Sequence, residues 1–271
     1  MITIKDLSFK YDRKEIFRDI NLNINEGNFY GLFGKNGVGK TTLMELCVGL
    51  KSYQKGLIKV EDYCPFDKHP DFLSKQFYLP ERPEIISMKA IDFADEYGVF
   101  WNKFDLNIFK NICLDFDIDM NQKMNSMSTG QLKKTWISLA LACQVKYYYF
   151  DEPTNGLDVP SKIQFRKLLI KYTSDKSIVI ISTHQAKDID NIINHVIILD
   201  DYHILFNDSI DNITKKYYFD NEHNYILSES IYSEQIPNGY IQIYPNVNNQ
   251  SSKIDLESFF NMVTKNNNKA F

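Results

Sequence analysis

Apolar and polar residues alternate along the first part of the chain, which predicts two half-buried strands over 2–9 and 16–24. Gly27 marks a turn, and the apolar run at 28–33 predicts a short buried strand that leads into a glycine-rich loop. Apolar residues return at helical spacing over 40–49. Two further short strands are predicted at 57–60 and 76–79.

The spacing of apolar residues changes between residues 84 and 143, from the alternation typical of strands to the spacing typical of helices. An inserted helical subdomain is therefore predicted there. Strands and helices then alternate. The predicted elements are strand 146–151, helix 160–171, strand 177–182, helix 186–192, strand 195–199 and strand 202–206. This order is typical of an α/β fold with a mostly parallel sheet covered by helices on both faces.

Asparagine and tyrosine become frequent after about residue 215, which indicates a separate small unit. A hairpin is predicted from Tyr225–Leu227 and Tyr240–Tyr244, with a turn near Asn238-Gly239. An amphipathic helix is predicted at 254–263.

The composition narrows the class of protein. The formal net charge of −4 over 271 residues lacks the basic footprint of a nucleic-acid binder. The longest apolar runs, such as 178–181 and 196–199, fall far short of the roughly 20 residues that a membrane helix needs. The N-terminus has no apolar core typical of a signal peptide, and the four cysteines lack metal-ligand spacing. We therefore expect a cytoplasmic protein with reduced thiols.

The segment GKNGVGKTT at 34–42 fits the phosphate-binding loop pattern and lies between a predicted strand and a predicted helix. Its glycines let backbone N–H groups approach phosphate oxygens, and the following helix directs its positive end at the same anion. Lys40 can reach the β- and γ-phosphates, and the Thr41 hydroxyl can ligate Mg²⁺. The predicted nucleotide-binding residues are Gly34, Lys35, Asn36, Gly37, Val38, Gly39, Lys40, Thr41 and Thr42.

The run YYYFDE at 147–152 reads as a buried strand that ends in two carboxylates. Ligands of parallel α/β sheets lie beyond the carboxyl ends of the strands, so Asp151 is expected to face the phosphate loop and to hold Mg²⁺ through water. Glu152, one residue further along, can take a proton from an attacking water. An acidic turn after a strand is the alternative, and the neighbouring phosphate loop favours function.

DEPTNGLD at 151–158, following GKNGVGKTT, resembles the ATP-binding cassette (ABC) ATPases over roughly residues 1–215. The resemblance implies a P-loop NTPase cassette with a mostly parallel core sheet, an antiparallel β subdomain and an inserted helical subdomain at about 84–143. Residues 216–271 would form a small α+β extension. The resemblance also implies ATP and Mg²⁺ as cofactors, and a second cassette, as a homodimer, bound head to tail.

MSTGQ at 127–131 resembles the family signature, usually written LSGGQ, with Thr129 in place of the first glycine. The resemblance implies that Ser128, Thr129, Gly130 and Gln131 contact the ATP of the partner cassette. Ser128 and Gln131 also fit a plain capping box, and both interpretations can hold together. The loop before Asp158 resembles the segment that links the two ATP sites, although a tight turn before a helix would look the same.

Three single residues extend the resemblance. His184 matches the switch histidine that contacts the γ-phosphate and the attacking water, and Tyr11 matches the aromatic residue that stacks on adenine. Glu81, in YLPERPEI at 78–85, stands where the family usually has a glutamine that touches Mg²⁺. A half-exposed strand-end tyrosine and a solvated turn acid are the structural alternatives for Tyr11 and Glu81.

The expected function is an ATP-hydrolysing subunit that drives a separate transmembrane permease from the cytoplasmic face of the membrane. Glu81 and the C-terminal segment KIDLESFFNMV at 253–263 resemble the cassettes of two-component exporters. An ordinary capping helix on a small subdomain is the alternative for the C-terminal segment. The alternative is a soluble or regulatory ABC ATPase that is not coupled to transport. Thr129 and Glu81 keep this alternative open, whereas Lys40, Asp151 and Glu152 favour hydrolysis.

Overall fold

The computed structural model describes residues 1–223, 229–237 and 239–265. The strands are β1 (Ile2–Tyr11), β2 (Lys14–Ile24), β3 (Asn28–Phe33), β4 (Lys55–Val60), β5 (Gln76–Leu79), β6 (Tyr147–Asp151), β7 (Ile178–Ser182), β8 (His195–Asp200), β9 (His203–Ser209), β10 (Tyr217–His223), β11 (Tyr232–Ile236) and β12 (Gly239–Pro245). The helices are α1 (Lys40–Cys47), α2 (Pro70–Leu73), α3 (Ala90–Gly98), α4 (Leu106–Asp115), α5 (Thr129–Ala142), α6 (Val159–Tyr172), α7 (Ile210–Lys216) and α8 (Leu256–Lys265).

A six-stranded central sheet has the order β5-β6-β7-β3-β8-β9, and all of its pairings are parallel except β8 with β9. Every residue of β6 and β7 is buried, as their continuous apolar sequences predict. The side chains of β6 alternate between two cores. Tyr147 and Tyr149 pack with α1 and the antiparallel sheet, whereas Tyr148 and Phe150 pack with α5 and α6. The predicted α/β fold with both faces covered is confirmed.

The antiparallel sheet has the order β2-β1-β4 and forms from the alternating segments near the N-terminus. Ile2, Ile4 and Leu7 on β1 are all buried in the core shared with the central sheet. Tyr11 ends β1 and is paired with Lys14 across the turn to β2. This sheet therefore holds Tyr11 at the margin of the molecule.

The segment predicted to be helical, 84–143, contains α3, α4 and α5. Its core is continuous with the central sheet through Phe93, Phe109 and Ile137, all fully buried. Helix α5 begins at Thr129 and is capped by Ser128, in agreement with the capping box in the sequence.

The predicted helix at 186–192 is wrong, because only a three-residue 3-10 turn forms at Ala186–Asp188. The apolar spacing of Ile189, Ile192 and Ile193 suggested a helix, but the intervening Asp and Asn residues favour turns. Asn194 then ties the segment to β3, because its side chain accepts a hydrogen bond from the Phe29 N–H at 3.0 Å and its own N–H donates to the Phe29 carbonyl at 3.0 Å.

The C-terminal segment forms an antiparallel sheet of order β10-β12-β11 followed by α8. The predicted strand 240–244 lies within β12 and the predicted helix 254–263 largely coincides with α8. Residues 225–227 and Asn238 lie outside the described residues, and β10, β11 and α7 were not predicted. The predicted division at residue 215 falls in the last turn of α7 and stays a prediction.

None of the helices in the described ranges combines the length and the apolar character that crossing a membrane would require.

Candidate functional site

The phosphate loop connects the end of β3 to the start of α1, as the sequence predicts. Gly39 has φ +113°, a conformation that residues with a side chain rarely adopt, and it precedes the first helical residue, Lys40. A Cβ atom on Gly34 would lie 2.5 Å from the Leu199 carbonyl oxygen. Two glycines of the motif are thus needed for the backbone path that leaves the α1 N-terminus facing outward.

A cavity of about 380 Å³ opens in front of this loop. It is lined by Tyr11, Lys14, Ile16, Asn36, Gly37, Gly39, Lys40, Thr41, Thr42, Glu81, Asp151, Glu152, Asn155 and His184. Residues from five separate parts of the chain thus meet at one place, among them every predicted catalytic and metal-ligating residue. Gly34, Lys35 and Val38 do not line it.

Lys40 projects into the loop and is 7 % exposed. Its Nζ donates to the carbonyl of Gly34 at 2.7 Å and to that of Lys35 at 3.3 Å. Burial lowers the pKa of Lys40, and the nearby charges of Glu152 and Asp151 oppose that shift. The ammonium therefore lies at the centre of the loop with acidic groups beside it.

Asp151 ends β6 and is held at both carboxylate oxygens. The Thr41 hydroxyl donates to Oδ2 at 2.5 Å, and the Ser182 hydroxyl donates to Oδ1. Ser182 ends the neighbouring strand β7, and its contact with Asp151 was not predicted.

Threonine hydroxyl and carboxylate oxygens are hard donors, which suit Mg²⁺. No cluster of three or more His, Cys, Asp or Glu side chains with metal-binding geometry occurs in the part of the chain that the structure describes. Any Mg²⁺ would therefore need further ligands from phosphate or water.

Glu152 follows Asp151 and is 6 % exposed, with a left-handed backbone at φ +45°. Its Oε1 lies 2.9 Å from Nδ1 of His184. Its Oε2 is buried and has no hydrogen-bond partner among the described residues. A buried carboxylate oxygen without a partner is costly, and in a cavity of this kind it indicates a group that a ligand or water completes.

Tyr11 is 39 % exposed and lines the cavity on the side of the antiparallel sheet. Its ring meets the Phe9 ring edge-on at 4.8 Å, and its hydroxyl lies 3.1 Å from the Thr42 hydroxyl. The Lys51 ammonium lies over the Tyr11 ring, 5.2 Å from its centroid. Contacts with β1, α1 and Lys51 thus fix the position of the ring beside the cavity.

The signature residues lie elsewhere on the molecule and do not line the cavity. Ser128 and Gln131 form the predicted capping box at the start of α5. Gly130 lies against the loop before Asp158, since a Cβ atom on Gly130 would be 2.9 Å from the Gly156 carbonyl oxygen. Asp158 caps α6 by accepting from the Ser161 N–H at 2.9 Å. The signature and the Asp158 loop therefore lie against each other at an exposed surface, and the loop reaches the chain's own cavity only through Asn155.

Lys133 is a residue that sequence reasoning missed. It is almost fully buried on α5, and its Nζ donates to the Glu152 carbonyl at 2.9 Å. In the sequence it stands beside a second lysine in QLKKTW at 131–136, and nothing there distinguishes it from a surface residue.

Comparisons with known proteins agree with this geometry. The ABC transporter family model matches residues 17–155, just over half of the chain. The ABC transporter ATP-binding protein YtrB of Bacillus subtilis (strain 168) is 26% identical over 219 residues, covering 80% of this chain and 75% of that protein. The molybdate import ATP-binding protein MolC of Haemophilus influenzae is 25% identical over 224 residues, covering 79% of this chain and 85% of that protein.

A solved dimeric ATP-binding cassette in a post-hydrolysis state, bound to ADP and Pi, has the same fold. It superposes with a TM-score of 0.69 at 21% identity, covering 78% of this chain and 99% of that one. The cavity and the family match together define the class of protein: an ATP-binding cassette ATPase. The chain belongs to the ABC transporter family, as an ATP-binding subunit.

Proposed function

We propose that this chain hydrolyses MgATP with Glu152 as the general base. The observation that carries the proposal is the Glu152 carboxylate, which is buried, oriented by His184 at 2.9 Å, and left with one unpartnered oxygen at the cavity. Such an oxygen can accept a proton from a water that attacks the γ-phosphate. His184 would hold the carboxylate and contact the same phosphate.

The nucleotide would lie along the cavity, with adenine on the Tyr11 ring and the phosphates in the loop 34–42. Backbone N–H groups at the start of α1 and the Lys40 ammonium supply positive charge to the β- and γ-phosphates. Thr41 and Asp151 would hold Mg²⁺, with Glu81 approaching through water, because these oxygens line the cavity beside Lys40. Mg²⁺ bound there would offset the charge on the phosphates and assist the departure of the leaving group.

We further propose that two copies of the chain pair head to tail. The α5 N-terminus, capped by Ser128, is exposed and presents a partial positive charge to an anion from outside the chain. Ser128, Thr129, Gly130, Gln131 and Asp158 would contact the ATP of the partner from that surface. The dimeric cassette that shares this fold supports the arrangement.

The dimer would act on a separate transmembrane permease, at the cytoplasmic face of the membrane. The family match and the ATP-binding relatives support transport as the purpose of hydrolysis. We propose export, from Glu81 and the exporter-like C-terminal segment, although the relatives also include an import protein. A regulatory or soluble ATPase is the competing function, which Thr129 in the signature favours.

Steady-state ATP hydrolysis by the wild type and by Glu152→Gln tests the proposal. The wild type should turn over MgATP, and the variant should lose about 100-fold or more in kcat while still binding ATP, because a general base contributes about that factor. Glu96→Gln, the same change at an exposed position on α3, is the matched control and should retain turnover.

Equal turnover in the wild type and Glu152→Gln would refute the role of Glu152.

The coupling to transport needs a second test, in which the chain is tagged and isolated from membranes. Recovery with a polytopic membrane protein in an ATP-dependent manner supports the permease-linked function, and a purely soluble pool refutes it.

A further inference from the structure

The Lys133 side chain is an ammonium group inside the protein. Lys133 lies on α5, is 2 % exposed, and is not among the residues that line the nucleotide cavity. Its Nζ donates to the main-chain carbonyl of Glu152 at 2.9 Å. Lysine is rarely buried to this degree unless a partner offsets the lost hydration.

The surroundings explain how the charge is accommodated. Burial lowers the pKa of Lys133, and the negative charges of Glu81, Glu152 and Asp151 oppose that shift. The ammonium thus lies at the acidic end of β6, where it contacts the main chain of Glu152. Lys40 and Lys133 together flank the two carboxylates.

The backbone of Glu152 needs support of this kind. Its φ of +45° is uncommon for a residue with a side chain and persists only where neighbouring contacts hold it. The Glu152 N–H is held by Ser182, through its carbonyl at 3.2 Å and its hydroxyl at 3.1 Å. The Glu152 carbonyl accepts from the Lys133 ammonium at 2.9 Å and, less closely, from the Asn155 N–H at 3.3 Å.

We propose that Lys133 is a positioning residue, whose ammonium fixes the Glu152 backbone so that the carboxylate faces the attacking water. The inference rests on the proposed role of Glu152 as the base. Lys133 lies on the same helix that Ser128 caps, so the contact also joins α5 to the main chain of Glu152 in its own chain. A shift of α5 on partner binding would thereby reach Glu152 directly.

A purely structural role for Lys133 makes different predictions from a positioning role. If Lys133 only stabilises α5, its loss should lower thermal stability and leave kcat intact in the folded fraction. If it positions Glu152, its loss should lower kcat at unchanged ATP affinity, because the phosphate loop and Tyr11 are untouched. A misplacement of about 1 Å at a reacting group can cost about 100-fold in rate.

The experiment compares wild type, Lys133→Met, Lys133→Arg and Lys134→Met in full-length chain. Methionine keeps the length and apolar stem of lysine but removes the charge and the donor, whereas arginine restores both. Lys134 is the matched control, because it is the next residue on α5 and its Nζ also donates to a main-chain carbonyl, that of Phe116 at 2.9 Å. The measurements are kcat, KM for ATP, nucleotide affinity by equilibrium titration, and the melting temperature.

We expect Lys133→Met to lose about tenfold or more in kcat with KM and nucleotide affinity within about twofold of wild type, given the rate penalty of a misplaced group. Lys133→Arg should recover part of that loss, and Lys134→Met should keep the wild-type kcat.

A wild-type kcat in Lys133→Met, or an equal loss in Lys134→Met, would overturn the inference. A parallel loss of nucleotide affinity and kcat would also overturn it, since that points to general disruption of the fold. Absence of turnover in the wild type would instead overturn the function on which the inference rests.

Discussion

Phe259 packs α8 against the rest of the chain, and replacing it with alanine should lower the stability of the C-terminal unit. The ring is 0 % exposed. Its centroid lies 4.9 Å from that of Phe206 on β9, 5.8 Å from that of Tyr217 and 6.2 Å from that of Phe219. Two of these contacts are edge-on, which is a favourable geometry for aromatic rings.

The cost can be approximated from this environment. Truncating a buried phenylalanine to alanine costs about 3–5 kcal/mol in the free energy of unfolding. The three aromatic neighbours argue against the low end of that range, so we expect about 4 kcal/mol, because edge-on contacts add to simple burial. A change of this size is a large part of the typical total stability and should lower the melting temperature by about 10 °C.

Urea titration followed by far-ultraviolet circular dichroism measures the effect. Tryptophan fluorescence adds a second probe, since both tryptophans, Trp101 and Trp136, lie in the helical segment far along the chain from α8. Coincident shifts in the two signals would show that α8 unfolds together with the cassette. The control is Phe260→Ala, a half-buried neighbour, for which we expect a loss of about 1 kcal/mol. A loss below about 1 kcal/mol for Phe259→Ala, or one equal to that of Phe260→Ala, would refute the reasoning.

Three further predictions follow from the site and its surroundings. Gly39→Ala should weaken ATP binding at least about tenfold in a fluorescence titration, because a Cβ atom there would lie 2.8 Å from the Phe17 ring in a strained backbone at φ +113°. Tyr11→Ala should weaken ATP binding about tenfold and Tyr11→Phe by less than about threefold, since the ring and not the hydroxyl would stack on the base. Comparable losses in both Tyr11 variants would argue against stacking. Burial raises the pKa of Glu61, but hydrogen bonds and charge from Lys146 outweigh this and lower it from 4.5 to about 2. Its stabilising effect is therefore present above about pH 4.5 and lost as the pH falls toward 2. Melting curves should show a shallower decline over that window for Glu61→Gln than for wild type.

The strands and the phosphate loop could be predicted from local pattern, because each is encoded by neighbouring residues. The buried run 147–151 and the glycine loop before Lys40 appear where the sequence predicts them. The helix predicted at 186–192 does not form, because local pattern was not sufficient there. Apolar spacing indicated a helix, whereas a tertiary contact between Asn194 and Phe29 holds the end of the segment and only a 3-10 turn forms.

The C-terminal unit was predicted less well. Its one amphipathic helix was evident from spacing, whereas β11 and α7 are short and polar and lack a clear period. Strand β11 is stabilised by pairing with β12, where Tyr232 lies opposite Ile243, and α7 by burying its Ile213 in the core. Both contacts depend on distant parts of the chain, which a local pattern cannot contain.

By itself, the sequence determined the family resemblance, the α/β class and the chemistry available to the site. Glycines that tolerate positive φ, a lysine, a threonine and two carboxylates after a buried strand are local facts, and short-range sterics and hydrogen bonding decide their meaning. Only the tertiary structure decided which distant groups meet. The Thr41 side chain hydrogen-bonds to Asp151, and the His184 side chain hydrogen-bonds to Glu152. These residues meet because parallel strands bring their carboxyl ends to one edge of the sheet. The burial of Lys133 against Glu152 could not be predicted from the sequence either. The partner that offsets a buried charge is determined by packing between distant segments, and the residues next to Lys133 in the chain do not reveal it.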